Sequence, residues 1–217
     1  HIGKKKYQVI VVKSTVTPKT TKDIVLPILE QMSGLKAGTY FGVAMNPEFL
    51  REGSGIYDFL NPDKIVIGTF DQKSFDVLEN LYKGVDEKIP RIRTDPTTAE
   101  MIKYAQNSML ATRISFINEI ANICEKFNVD ILEIAYAIGL DPRIGPKFLH
   151  PGPGYGGSCF PKDIVGLTEV GEERELSLPI LRALNESNQK QKYWLSDNFR
   201  RYYNGNLRGL EVTVWGL

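Results

Sequence analysis

"YQVIVVKST", residues 7–15, is an apolar, β-branched run of the kind that forms a strand buried on both faces of a parallel sheet. Working outward from it, a helix is predicted after Pro18 in "KTTKDIVLPILEQMSG", then a strand in "YFGVAMN" (40–46). A loop rich in charge and glycine comes next, then a strand in "KIVIGTF" (64–70) and a helix in "QKSFDVLENLYKGV" (72–85). Strands alternating with helices predict a parallel α/β sheet. From residue 97 the pattern turns helical. Thr97 and Glu100 are spaced as a capping box, and the periodic segment runs to about Phe127. A helix in "VDILEIAYAIG" closes at Gly139, and "LPILRALNESNQKQKYWLSDNFRRYYNG" (178–205) reads as one long amphipathic helix. "LEVTVWGL" (210–217) again has the pattern of a buried strand. The expected fold class is α/β, the remainder of a doubly wound parallel sheet followed by a mostly helical domain with a long central helix. Buried parallel strands need neighbours on both sides, so the chain reads as part of a longer protein.

The bulk numbers narrow the function. The 217 residues carry 27 basic and 26 acidic side chains, so the net charge of +1 supplies no electrostatic reason to bind nucleic acid or an anionic membrane. Only two cysteines occur, which argues against a disulfide framework and for a reducing, cytoplasmic setting. No apolar run approaches the roughly 20 residues a bilayer demands. No metal is expected.

Those two cysteines differ. Cys124 continues a stripe with Leu110, Ile114, Ile117 and Ala121 at alternating spacings of four and three, which is a core-facing seam, and there a thiol is a small apolar group. Extended backwards, the stripe meets Asn107 and Lys103. Either the helix emerges into water there, or a half-buried ammonium and amide share a face that would stabilise a developing oxyanion. Cys159 sits in "PGPGYGGSCFPKD" (151–163), behind four glycines and ahead of Lys162 and Asp163. A cation nearby raises a thiol's thiolate fraction, so the loop is either a plain turn or the bed of a reactive thiol. Gly152-x-Gly154-x-x-Gly157 matches a dinucleotide fingerprint, but no strand is predicted before it and Pro161 is expected to break the chain just after it.

"KSTV" (13–16), "NPEFLREG" (46–53), "AEMIKYAQNSMLATRISFINEIA" (99–121), "DPRIGPKF" (141–148) and "GYGGSCFPKD" (154–163) resemble the UDP-glucose/GDP-mannose dehydrogenase family in order and spacing, over essentially the whole chain. The resemblance implies three parts: residues 1–93 as the C-terminal part of an NAD-binding Rossmann-like domain, 94–205 as a central helical domain that forms a homodimer through the long helix, and 206–217 as the first strand of a further nucleotide-sugar-binding domain. It implies NAD as cofactor and a nucleotide sugar as substrate, its C6 alcohol oxidised to a carboxylate in two steps through a cysteine thiohemiacetal and thioester. Cys159 would be the nucleophile. Lys103 and Asn107 would hold the oxygen that becomes negative, Asp163 would position a water or take a proton, Glu48 would be the base of hydrolysis, and Thr15 would help place that water. Cofactor contacts would come from Thr15, Glu52 and Lys162. Substrate contacts would come from Glu48, Phe49, Leu50, Arg51 and Glu52, from Lys103 and Asn107, and from Phe148, Leu149, His150, Pro151, Gly152 and Gly156. Arg143 would reach into a neighbouring subunit's site.

The chain departs from the family in lacking the glycine fingerprint for the pyrophosphate of NAD, and His150 stands where some relatives carry lysine. By itself it is expected to bind cofactor poorly and not to turn over. UDP-glucose is the favoured substrate, with GDP-mannose and UDP-N-acetylmannosamine as alternatives. A β-hydroxyacid dehydrogenase would use a Lys-x-x-x-Asn pair without needing Cys159, and a non-catalytic dimerisation module is the third alternative.

Overall fold

The computed structural model describes residues 6–215. Four strands, β1 (Gln8–Val12), β2 (Phe41–Met45), β3 (Ile65–Thr69) and β4 (Arg91–Thr94), form one sheet in the order β1-β2-β3-β4. β1 runs parallel to β2, from Gln8 opposite Phe41 to Val12 opposite Met45, and β3 runs parallel to β4. The sheet is thus dominated by parallel pairs, as expected, with one exception. β2 and β3 are antiparallel, joined only at Ala44–Thr69 and Met45–Gly68. A parallel return needs a long crossover, usually a helix. The link between β2 and β3 carries only the six-residue α2 (Gly55–Leu60), and β3 ends opposite the residues where β2 ends.

β2 and β3 are buried at every position, as their unbroken apolar runs require. Ala44, Ile65 and Ile67 pack on one face with Leu78 of α3 (Gln72–Leu81). Met45 and Val66 pack on the other with Ala99. Gly68 makes the second contact possible. A Cβ there would lie 2.8 Å from Ala99 Cβ, Asp95 O and Pro96 Cα, so only a bare backbone lets α4 (Pro96–Phe127) start so close to the sheet. β4 escapes the sequence pattern because "RIRT" reads as charged. Its Arg91 is bound by Glu79 at 2.7 Å and by the carbonyls of Tyr82 and Val85. Its Arg93 lies over the Phe75 ring.

Two helix starts differ from expectation. The helix after Pro18 opens as a π-helical turn (Thr20–Val25) before α1 (Leu26–Ser33). Pro27 has no N–H to bond the carbonyl four residues back, and its ring crowds that carbonyl, so the chain widens there. At α4 the cap is Asp95, not Thr97. Its carboxylate accepts from the Thr98 N–H at 3.1 Å and from the Thr98 hydroxyl, with Pro96 opening the helix. Glu100 is withdrawn from any capping box because it is fully buried and accepts from the N–H of Lys19 (2.6 Å) and from the N–H and hydroxyl of Thr21 (2.8 and 2.6 Å).

The chain divides into two compact units. One is His1–Asn107 with Asp163–Ser177, and the other is Ser108–Lys162 with Leu178–Leu217. In the second, Ile117 of α4, Ala135 of α5 (Ile131–Gly139) and Leu149 form a core, with Asp130 capping α5. The single long helix expected at 178–205 is two helices, α7 (Pro179–Gln191) and α8 (Trp194–Tyr202). Lys192 and Tyr193 keep right-handed dihedrals, but Tyr193 donates to Lys190 O, a tighter three-residue bond that interrupts the regular ladder. Residues 210–215 form no strand with any other described residue, and residues 216–217 of the expected strand lie outside the described range. The period of "LEVTVW" suits a sheet, but a strand exists only where a partner's backbone groups meet it.

Candidate active site

The stripe along α4 decides between the two readings of Lys103 and Asn107. Each is only 4% exposed, as buried as Ile117 and Cys124 further along the same face. The helix does not emerge into water at that end. Its buried face runs back through Asn107 and Lys103 to Glu100, at the spacing of the apolar seam.

Buried polar groups at this depth need partners. The ammonium of Lys103 lies 3.1 Å from Glu48 Oε1, and its positive charge sits 5.3 Å from the centre of the Phe49 ring. Glu48 also accepts from the Leu50 N–H through its other oxygen, at 2.8 Å, so the carboxylate caps its own turn. Asn107 Nδ2 donates to Asp163 Oδ2 at 2.6 Å, and Asp163 is fully buried. Tyr104, between them on α4, has its phenol pushed above the ordinary tyrosine value, first by burial and then by the negative charges of Asp163 and Glu100. Four of the residues singled out from sequence therefore pair as Lys103 with Glu48 and Asn107 with Asp163.

Around this pair lie groups that the sequence reading did not select. Lys64 places its ammonium 4.1 Å from the Phe49 ring centre and donates to Gln106. Burial pushes Lys64 below the usual lysine range, with Asp63 opposing and Lys103 reinforcing the shift. Lys13 donates to Asn46 Oδ1 at 2.9 Å, and the Asn46 amide donates to Val66 O at 2.7 Å. These fix the turn leaving β2 that carries Glu48. Nothing in the spacing of Lys13 and Lys64 marks them, since they flank different strands and converge only through the sheet. Arg51 is committed to Asp58, whose carboxyl it holds well below the usual range.

Cys159 is a free thiol, half-buried, with Ser158 Oγ at 3.7 Å. It stands immediately before α6 (Phe160–Glu172), a helix that the sequence reading does not anticipate. The expected break at Pro161 does not occur. Pro161 falls in the first turn instead, where a missing N–H costs nothing. The thiol thus sits at a helix N-terminus, where unpaired N–H groups favour negative charge. The dinucleotide fingerprint loses one of its two objections, since a helix does come after it, but not the other. No strand directly precedes Gly152. In the preceding loop Arg113 donates to the carbonyls of Ile144, Gly145 and Lys147, and Leu149 is buried while His150 is exposed. Phe148 adopts a positive φ of 62°, which a non-glycine residue rarely does. Arg143 pairs with its neighbour Asp141 at 2.6 Å and is largely exposed. Glu52 is also exposed and Lys162 lies in the first turn of α6, while Glu52, like Thr15, lies in the loop after a strand's carboxyl end. Cys124 is buried in the second unit, as its stripe implied. No cluster of three or more metal-ligating side chains occurs among the described residues.

Residues 1–86 match the NAD binding domain of the UDP-glucose/GDP-mannose dehydrogenase family, and residues 97–190 match that family's central domain. The chain belongs to the UDP-glucose/GDP-mannose dehydrogenase family. It is 44% identical over 209 residues to a UDP-glucose 6-dehydrogenase of Rickettsia bellii, covering 96% of this chain and 47% of that protein. It is 45% identical over 213 residues to the UDP-glucose 6-dehydrogenase YwqF of Bacillus subtilis, covering 98% and 47%. Among solved structures, a UDP-glucose dehydrogenase from Pyrobaculum islandicum superposes with a TM-score of 0.85 at 40% identity, covering 90% of this chain and 44% of that one. The chain spans about half the length of the curated relatives it matches.

NAD is the cofactor that this domain family indicates. The residues present fit part of its site. β1 and β2 are parallel, and the loops leaving their carboxyl ends carry Thr15 and Glu52. Open α/β sheets take dinucleotides at that edge.

Proposed function

We propose that this chain is part of an NAD-dependent nucleotide-sugar 6-dehydrogenase that converts UDP-glucose to UDP-glucuronate. The observation that carries the reading is the pairing of buried Lys103 with Glu48 and of buried Asn107 with Asp163. An apolar seam would pack at less cost, so a compensated ammonium and amide in its place are an arrangement kept for chemistry. NAD, when bound, supplies the electron acceptor for both oxidations.

Each residue has its own part in the reaction. As the C6 alcohol is oxidised to an aldehyde, Lys103 and Asn107 donate hydrogen bonds to its oxygen. The Cys159 thiolate adds to the aldehyde carbon, forming a thiohemiacetal whose oxygen carries the negative charge that Lys103 stabilises. The second oxidation leaves a thioester on Cys159. Glu48, with Thr15 placing the water, removes a proton from it, and its oxygen bonds to the acyl carbon. The C–S bond breaks, releasing carboxylate and thiolate. Asp163 holds Asn107 and takes the proton that the C6 hydroxyl loses in the first oxidation. Thr15, Glu52 and Lys162 contact the cofactor. Phe49 to Glu52, Phe148 to Gly152, and Gly156 contact the sugar nucleotide, and Arg143 acts in a neighbouring subunit. The proposal includes a homodimer through residues 94–205, residues 1–93 as Rossmann-like remainder, 206–217 as the start of a further domain, and a cytoplasmic setting. No described helix is long and apolar enough to cross a membrane.

The test is the full-length gene product, assayed for NADH across UDP-glucose, GDP-mannose and UDP-N-acetylmannosamine. Two NADH per UDP-glucose, lost in Cys159→Ser, is the expected result. Equal loss in well-folded Cys159→Ser and Cys124→Ser would refute the role of Cys159.

A further inference from the structure

The glycine bed in front of Cys159 is fastened by side-chain amides from two helices of the second unit. Gly152 donates its N–H to Asn118 Oδ1 on α4 at 2.7 Å, and its carbonyl accepts from Gln191 Nε2 on α7 at 2.8 Å. Gln191 Oε1 accepts in turn from Asn122 Nδ2 of α4 at 3.0 Å. Three residues further along, the Tyr155 N–H donates to Asn188 Oδ1 at 2.8 Å and the Tyr155 carbonyl accepts from Asn188 Nδ2 at 3.0 Å. One amide closes both backbone groups of one residue.

The spacing is that of two helix faces. Asn118 and Asn122 are four apart on α4, and Asn188 and Gln191 are three apart on α7. The loop is shaped to receive them. Gly154 has a φ of 101°, and a Cβ there would come within 2.5 Å of Asn188 Oδ1. Only glycine allows the amide to reach the backbone beside it.

Asn118 and Asn188 are 2% and 3% exposed. Burying an amide costs free energy that an apolar side chain would not, and these amides offset it by bonding the loop. The stretch 154–157, with three glycines in four residues, has little stiffness of its own. We propose that Asn188, with Asn118 and Gln191, is a positioning residue that holds the glycine loop so that Cys159 is presented to the aldehyde carbon. The proposal rests on Cys159 being the nucleophile. It predicts a selective defect, because the first oxidation does not need the thiol and the second does.

The experiment uses the full-length gene product with UDP-glucose and NAD, in wild type, Asn188→Ala, Asn188→Asp and Gln191→Ala. Aldehyde formed in a single turnover is trapped with hydroxylamine, and UDP-glucuronate is measured separately. Displacing a reacting group by about 1 Å can cost up to about 10²-fold. Asn188→Ala is therefore expected to slow uronate formation at least about 10-fold and to accumulate trapped aldehyde, while the first oxidation changes less than about threefold. Hydrogen exchange at the Tyr155 amide should quicken while α7 stays protected. Parallel loss of both oxidations, or faster exchange at Tyr155 with unchanged uronate formation, overturns the proposal. Where Asn188→Ala does not fold, Asn188→Asp and Gln191→Ala give the same readouts, since the first keeps the shape and the second removes the partners of the Gly152 carbonyl and the Asn122 amide while leaving both Asn188 bonds to Tyr155 in place. Failure of the Cys159 reading is separate, because it appears as uronate formation that survives Cys159→Ser.

Discussion

The two ends of the α4 stripe are equally buried and opposite in character. Around Ile117 and Cys124 the seam is apolar, and those side chains need nothing from their neighbours beyond contact. From Glu100 to Asn107 the same face is polar, and its charged and amide groups each answer to a residue far away in the chain: Glu100 to Thr21, Lys103 to Glu48, Asn107 to Asp163. Burial and periodicity say where a side chain points and nothing of its task. Within the polar end there is a second division. Glu100 bonds backbone and hydroxyl groups of the π-helical turn, which is a fastening role, whereas the partners of Lys103 and Asn107 are ionisable side chains.

The sharpest way to break this contrast is Lys103→Ala in the full-length protein. Losing a donor to a developing oxyanion costs about 10² to 10³ in rate, and turnover is expected to fall by at least that while substrate binding changes far less. Near-normal turnover would make the polar end as inert as the apolar one. Asn107→Ala should act in the same direction by about 10-fold to 10²-fold, since an amide brings a dipole and not a charge. The double variant should lose less than the product of the two single losses, as the proposed service of both groups to one oxygen requires. Steady-state rates and substrate titrations on the three proteins decide it.

Glu100→Ala sharpens the division inside the polar end. It strands the buried N–H and hydroxyl of Thr21, each orphaned group costing roughly 1–3 kcal/mol, and unpairs the Lys19 N–H, so the urea midpoint should drop while activity per folded molecule is retained. Selective loss of activity with an unchanged midpoint would place Glu100 with the chemistry. The smallest effect belongs to Cys124→Ser. A hydroxyl in an apolar site costs about 1 kcal/mol, seen as a modest fall in Tm with turnover unchanged.

Much of this is legible in the residues. The apolar runs of β1, β2 and β3, the length of α4 and the period that carries its seam all appear in the sequence, because strand and helix repeats are properties of consecutive residues. The stripe also points to Lys103 and Asn107, although it leaves open whether they meet water. The misses share a cause. Thr97 looks like a cap until Asp95 and Pro96 take the helix start and Glu100 turns to Thr21. Pro161 looks like a break because its position in a first turn depends on where α6 begins. Arg91 hides a strand because its charge is matched by Glu79 across the fold.

By itself, then, the sequence determined which faces are apolar, which segments repeat with the pitch of a helix, and where the unusual thiol and its glycines lie. Only the tertiary structure decided that β2 and β3 meet antiparallel, that Lys103 and Asn107 are buried, and which carboxylates stand beside them. The reason is one of range. A side chain's direction follows from its own φ and ψ and its neighbours, whereas the compensation of a buried charge comes from whichever distant segment the fold brings within about 3 Å.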